Sequence, residues 1–170
     1  MSHLAIHAAS PTDVDAMAEV WVLADGKRRA DIGLSATTTI EQARNLVVDR
    51  LARPGSLPVV ARDRDQVVGM AIGVQARTDD GAGPGAIPGL LHVSLVAVVP
   101  TAWGRRLASR MLMTLLDDAR LVGFTSAQLW THESNARAIA LYERLGFARS
   151  GRTKLDIHGE VSAQWHRTLS

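Results

Sequence analysis

Apolar positions change their period several times along the chain, and those changes divide it into elements. The alternating run LAIHA, residues 4 to 8, predicts a first strand. Ser10, Pro11 and Asp13 stand in the order of an N-cap and first turn, and they open a first helix through VDAMAEVWVLA. A polar segment, DGKRRADIGLSATT, separates it from a second helix near TIEQARNLVVDRLA, where Ile40, Leu46, Val47 and Leu51 recur at helical spacing before Pro54 and Gly55. LPVVARD and QVVGMAIGVQAR read as two strands of a hairpin turning at residues 62 to 65. The stretch TDDGAGPGAIPG, residues 78 to 89, is too rich in glycine and proline for a regular element and is expected to form a mobile lip.

Beyond that lip the pattern predicts a strand (LLHVSLVAVV), a helix over about 104 to 121, a strand (SAQLWT), a helix over about 134 to 145, and two closing strands (FARSGRTKLDIHG and VSAQWHRTL). Antiparallel strands followed by a β-α-β-α-β run indicate an α/β sheet with helices on both faces. No repeat or low-complexity tract interrupts it, and a 12-residue loop is too short for a domain linker, so residues 1 to 170 are read as one domain.

Composition narrows the function classes. With 170 residues and 46% hydrophobic content, the chain can bury roughly two thirds of its unfolded surface. No window reaches the ~20 apolar residues of a bilayer span, and MSHLAIHAAS lacks the basic start and apolar core of a secretion signal, so the expectation is a soluble, cytoplasmic protein without membrane contact. The absence of cysteine excludes disulfides, a thiolate nucleophile and thiolate-ligated zinc, and no two histidines have the i, i+4 spacing of a zinc helix. No metal is expected. The pI of 9.7 overstates the basicity: net charge is +2 and no run of four basic residues occurs, which argues against nucleic-acid binding.

Two segments carry candidate chemistry. In VVPTAWGRRLASRML a β-branched strand ends at Pro100 and a helix follows with Leu107, Met111, Leu112, Leu115 and Ala119 on one face. A helix that starts directly after a strand aims free N–H groups and its dipole at one spot, which suits an anion, and Arg105 and Arg106 lie beside it. Taken alone, the segment reads equally well as a plain strand-to-helix corner. In SNARAIALYERLGF, Ser134 is the expected N-cap, Ala138, Ile139 and Tyr142 share a face, and Gly146 ends the helix.

Together the two segments resemble the GNAT superfamily of acyl-CoA-dependent N-acyltransferases. The first family motif is matched by Val98, Pro100, Trp103, Gly104, Leu107, Ala108 and Leu112, and the second by Asn135, Ala138, Tyr142, Gly146 and Phe147. The resemblance implies a mixed, mostly antiparallel sheet of about seven strands, flanked by four helices and splayed between its fourth and fifth strands. It implies acetyl-CoA as cosubstrate, with a pyrophosphate turn at Trp103, Gly104, Arg105, Arg106, Leu107, Ala108 and Ser109. The backbone of Val96 and Val98 would bond the pantetheine arm, and Asn135 would contact that arm or nearby backbone. Tyr142 would protonate the departing thiolate, a task suited to a phenol of pKa ~10. Arg106 stands where the family usually carries glycine; if it has entered helical φ/ψ, the turn is expected to be slightly reshaped but still to bind.

Acylation of an amine needs a base or a water chain. His92 matches the position where some family members place a general-base glutamate, and its ordinary pKa of ~6.5 suits the role; it reads equally as a half-buried strand histidine bonded to a carbonyl. Glu133 is the competing base or else a surface carboxylate. The acceptor groove implied by the family would be lined by residues 24 to 38 and 78 to 89, where Lys27, Arg28 and Arg29 could hold an anion and Asp79 and Asp80 a cation, or both sets could be solvated loop charge. The reading is therefore transfer of an acetyl group, directly in a ternary complex, to the primary amine of a small molecule. A protein or peptide Nα-acetyltransferase and a non-catalytic acyl-CoA sensor are the alternatives, and a homodimer is suggested only by the habit of relatives.

Overall fold

Seven strands join one sheet in the order β1-β2-β3-β4-β5-β7-β6. The computed structural model describes residues 3–170. The strands are β1 (Leu4–Ala8), β2 (Leu57–Asp63), β3 (Gln66–Arg77), β4 (Ala86–Val98), β5 (Ser126–His132), β6 (Ala148–Leu155) and β7 (Val161–Thr168). The helices are α1 (Val14–Asp31), α2 (Ile40–Ala52), α3 (Leu107–Leu121) and α4 (Ala136–Arg144). All neighbouring strands run antiparallel except β4 and β5.

Each face of the sheet carries its own core. Met17 and Val20 of α1 and Val47 of α2 pack on Val60, Met70, Ile72 and Val74. On the other face, Leu107, Met111, Leu112 and Leu115 of α3 and Leu141 and Tyr142 of α4 pack on Val59, Ala71, Leu91 and Trp165. The approach of α3 to the sheet depends on two glycines of β3: a Cβ on Gly69 would sit 2.8 Å from Met111 Cε, and one on Gly73 would sit 3.0 Å from Leu91 Cδ1 and 3.1 Å from Leu115 Cδ1. Met111 and Leu115 are one helical turn apart, as Gly69 and Gly73 are four residues apart on one face of the strand, so the missing side chains form the groove that α3 fills.

Of the boundaries that differ from the sequence reading, three bear on the site. α1 runs on through residues 25 to 31, which the polar pattern placed in a loop. Side-chain pairs at helical spacing, Arg28 with Asp25 and Lys27 with Asp31, support the extra turns, and Arg28 and Arg29 both reach Glu160 at the β6–β7 turn. The segment 78 to 89 is a strand from Ala86 onward, because the Gln75 side chain donates to the carbonyls of Ile87 and Leu90 and holds the irregular Pro88-Gly89 stretch against β3. α3 begins at Leu107, three residues later than expected.

Two features of β4 shape the centre of the molecule. Ile72 pairs with Leu95 while Gly73 pairs with Val93, which leaves Ser94 as an extra residue in β4. This bulge reverses the facing of the strand: Leu91 and Val93 belong to the α3–α4 core, but Leu95 and Ala97 belong to the α1–α2 core. The parallel pairing of β4 with β5 covers only Leu90–Ser126, Leu91–Ala127 and His92–Gln128. Past His92 the two strands part, β4 staying with β3 and β5 with β7. The expected opening between the fourth and fifth strands therefore starts at His92.

Replacing Gly73 by alanine is expected to destabilise the chain by about 1–3 kcal/mol through overpacking against Leu91 and Leu115, read as a lower urea midpoint with an unchanged slope.

Candidate active site

The turn between β4 and α3 alternates in handedness. Trp103 has φ −62°, Gly104 φ +81° and Arg106 φ +58°, after which Leu107 enters the helix. Alternation of this kind turns successive N–H groups toward one concavity, and the first amides of α3 add their orphan donors and the helix dipole. Arg106 has not entered the helix. It takes the left-handed conformation that glycine adopts at no steric cost, so the turn keeps its glycine-type shape and the strain is carried by an exposed arginine. The expected reshaping of the turn is thus corrected. Arg105, beside it, pairs with Asp63 of β2 at 2.9 Å.

From this turn the free edge of β4 leads back toward His92. Val99 N–H donates to Val68 O on β3 at 2.9 Å, so the backbone groups of Val98 and Val96 point the opposite way, into the opening. The carbonyl of Val98 already accepts a 2.8 Å bond from the indole N–H of Trp103. Arg137 of α4 stacks its guanidinium 4.0 Å from the centre of that indole, tying the two sides of the opening together through a cation–π contact. Asn135, not Ser134, is the N-cap of α4: its Oδ1 accepts from Ala138 N–H at 3.2 Å. Tyr142 is 7% exposed, packs edge-on to Phe147 with ring centres 5.9 Å apart, and burial pushes its phenol up, so it stays protonated.

His92 sits at the apex of the opening, on the face that α2 covers. Its Nδ1 is enclosed without a hydrogen-bond partner among the described residues. Burial first, then the charges of Arg50, Lys154 and Arg53, push its pKa down to about 4, so the ring is neutral over the whole physiological range. That is lower than the value near 6.5 assumed for a free imidazole. A narrow recess lined by Arg53, Gln75, Arg77, Asp80, Gln128 and Trp130 meets the ring, with room for about one water. Arg50 donates to Ser94 Oγ, 2.6 Å away, so the bulge residue points to this side as well.

The remaining candidates are elsewhere. Glu133 is an exposed carboxylate paired with Arg149 at 3.0 Å. Arg28 and Arg29 are neither acceptor-facing nor solvated loop charges: Arg28 clasps Glu160 through both oxygens at 2.9 and 3.2 Å, and Arg29 adds a third bond at 2.6 Å. Those bonds, Arg28 foremost, hold the Glu160 carboxyl below its usual range. His132, Asp156 and Glu160 bring potential ligand atoms within 4.8 Å of one another, but two guanidiniums already neutralise Glu160. This cluster fastens α1 to the β6–β7 turn.

Comparison with known proteins decides the family. The pattern of the Acetyltransferase (GNAT) family matches residues 23–147, well over half of the chain. The chain belongs to that family. It is 41% identical over 75 residues to the mycothiol acetyltransferase of a Parafrankia strain, which covers 44% of this chain and 22% of that protein. Over 106 residues it is 34% identical to the IAA acetyltransferase of Azospirillum brasilense, covering 62% of this chain and 63% of the relative. The chain thus spans between about a fifth and two thirds of the length of these curated relatives. Among solved structures, that of yncA from Salmonella typhimurium with its cofactor acetyl-CoA superposes with a TM-score of 0.73 at 20% identity, over 99% of this chain and 95% of that one. It shares the fold.

Sequence reasoning singled out the turn, the strand edge, His92 and Tyr142, but not Arg50, Arg53, Trp130, Arg152 and Lys154, which the structure brings around the His92 recess. They come from α2, β5 and β6, and no local pattern marks them. No helix among the described residues is long and apolar enough to cross a membrane.

Replacing Arg106 by glycine is expected to relieve the left-handed strain and stabilise this GNAT chain by about 1 kcal/mol, seen as a melting temperature raised by roughly 2–4 °C.

Proposed function

We propose that residues 1–170 act as a single N-acetyltransferase domain that moves an acetyl group from acetyl-CoA to the primary amine of a small molecule. The observation that carries this reading is the continuous path of backbone donors and acceptors: an alternating turn and helix N-terminus made for an anion, then an unpaired strand edge, ending at a neutral histidine. The residues fit the cosubstrate. The amides of residues 104 to 109 would hold its pyrophosphate, and Val96, with the N–H of Val98, would line its arm. Val98 lies six residues beyond His92 on β4, about 20 Å in an extended strand, so the phosphate turn follows the end of β4 while the base stands at the middle of that strand. The cosubstrate supplies the activated thioester; the chain supplies position and protons. His92 takes the proton the amine loses as the C–N bond forms, directly or through the one water its recess can hold. Tyr142 gives a proton to sulfur as the C–S bond breaks. Glu133, exposed and held by Arg149, is the weaker candidate for the base.

Two of the curated relatives bear the names mycothiol acetyltransferase and IAA acetyltransferase, which supports a small-molecule acceptor over a protein N-terminus.

Calorimetry with acetyl-CoA is expected to show saturable binding; no heat at millimolar cosubstrate would remove the assignment. Arg106→Gly separates the two roles of that side chain, because a large gain in acetyl-CoA affinity would show that the arginine hinders the phosphate.

With a turned-over amine, His92→Gln should lower kcat about a hundredfold or more. A base whose pKa is about 4 is neutral, and competent, at every higher pH, so the loss should be uniform from about pH 5 upward, with the acidic limb of the native enzyme near pH 4. An unchanged kcat in the variant across that range would take His92 out of the reaction, whereas a native inflection near 6.5 that the variant loses would keep His92 as the base and contradict only the lowered pKa.

A further inference from the structure

We propose that the acceptor amine also carries a carboxylate, and that this carboxylate binds to the cations framing His92 in the place the Asp80 side chain holds in this structure. The inference rests on the acyl-transfer reading and names its substrate class.

The recess beside His92 is framed by positive charge from three elements. Arg50 and Arg53 come from the end of α2, Arg77 from β3, and Arg152 and Lys154 from β6. Against these five stand Asp49, bonded to Arg50 and Arg53, and Asp80, bonded to Arg152 at 2.9 Å. Lys154 has no carboxylate partner among the described residues; its ammonium lies 4.1 Å from the centre of the Trp130 ring, with the Arg152 guanidinium 5.5 Å from it. The excess of cations faces the point where the amine must arrive. Such a field opposes a second ammonium and lowers the affinity of the reacting amine itself for a proton, so it favours the neutral nucleophile. A polycation is excluded by the same charges. A molecule with one amine and one carboxylate satisfies them.

Asp80 behaves as a substitute for that carboxylate. It stands in the 78–85 turn, lines the recess, and accepts a hydrogen bond from the Arg152 guanidinium of β6. It and Asp79 both have φ +52°, a left-handed conformation that aspartate tolerates better than most side chains but that still costs more than it would for glycine. The Asp80–Arg152 pair is partly exposed, and pairs of that kind add little to stability, so an incoming carboxylate can displace Asp80 at small cost.

The test uses the full chain with acetyl-CoA and thiol release as readout, against the common amino acids, each beside its carboxamide, with spermidine and kanamycin as polycations. At least one acid should exceed its carboxamide in kcat/KM by about tenfold or more. Lys154→Met and Arg152→Gln should compress that ratio toward one, and Asp80→Asn should lower KM for the acid; ratios within one variant are insensitive to partial misfolding. Equal use of acids and carboxamides, preference for the polycations, or turnover of none of the acids by protein that binds acetyl-CoA would overturn the inference while leaving coenzyme binding intact. Failure of acetyl-CoA to bind in calorimetry would instead sink the acyl-transfer reading beneath it.

Discussion

Two strands that begin as hydrogen-bonded neighbours and then part are the constraint on which this molecule depends. A sheet is stabilised by pairing every N–H and C=O with a neighbour, and an unpaired edge inside the sheet leaves those groups in want of partners. β4 keeps β5 for three residues and loses it at His92, while each strand stays paired on its far side. The opening is therefore rigid on both flanks and unsatisfied only where the strands face each other. That combination suits an extended ligand with amide groups of its own.

The halves on either side of the opening are tied together by side chains. Trp103 bonds the β4 edge and stacks on Arg137 of α4, and Arg28 and Arg29 of α1 clasp Glu160 at the β6–β7 turn. Charged groups set so deep cost desolvation, and a bidentate guanidinium with further hydrogen bonds is the arrangement that recovers it. These ties hold the gap open at a fixed width without a continuous ladder. The bulge at Ser94 acts in the same region, turning His92 and Ser94 toward the α2 side while Val96 and Val98 keep their edge to the gap.

His92 shows how the same geometry sets chemistry. Its position at the last paired residue removes it from water, and cations from α2 and β6 converge on it, so its pKa falls to about 4. A weaker base results, but one that is unprotonated and unpartnered at neutral pH, beside a recess sized for one water. Tyr142, buried in the opposite core, moves the other way and keeps its proton. Burial, joined at His92 by the nearby cations, thus leaves an unprotonated imidazole and a protonated phenol on the two faces of one sheet.

Local pattern by itself determined the strands, the two family segments and the faces of α2 and α3, because helix and strand periods, proline and glycine act over a few residues. It could not extend α1 through Lys27, Arg28 and Arg29, since the partner that stabilises those turns, Glu160, lies more than 130 residues away. Nor could it foresee the left-handed Arg106, whose conformation is imposed by the turn around it rather than favoured by its own side chain. The cation frame around His92 belongs to the tertiary structure alone: Arg53 stands at the end of α2 and Arg152 and Lys154 on β6, and only the packing of those two elements beside the end of the β4–β5 ladder turns ordinary surface residues into one electrostatic site.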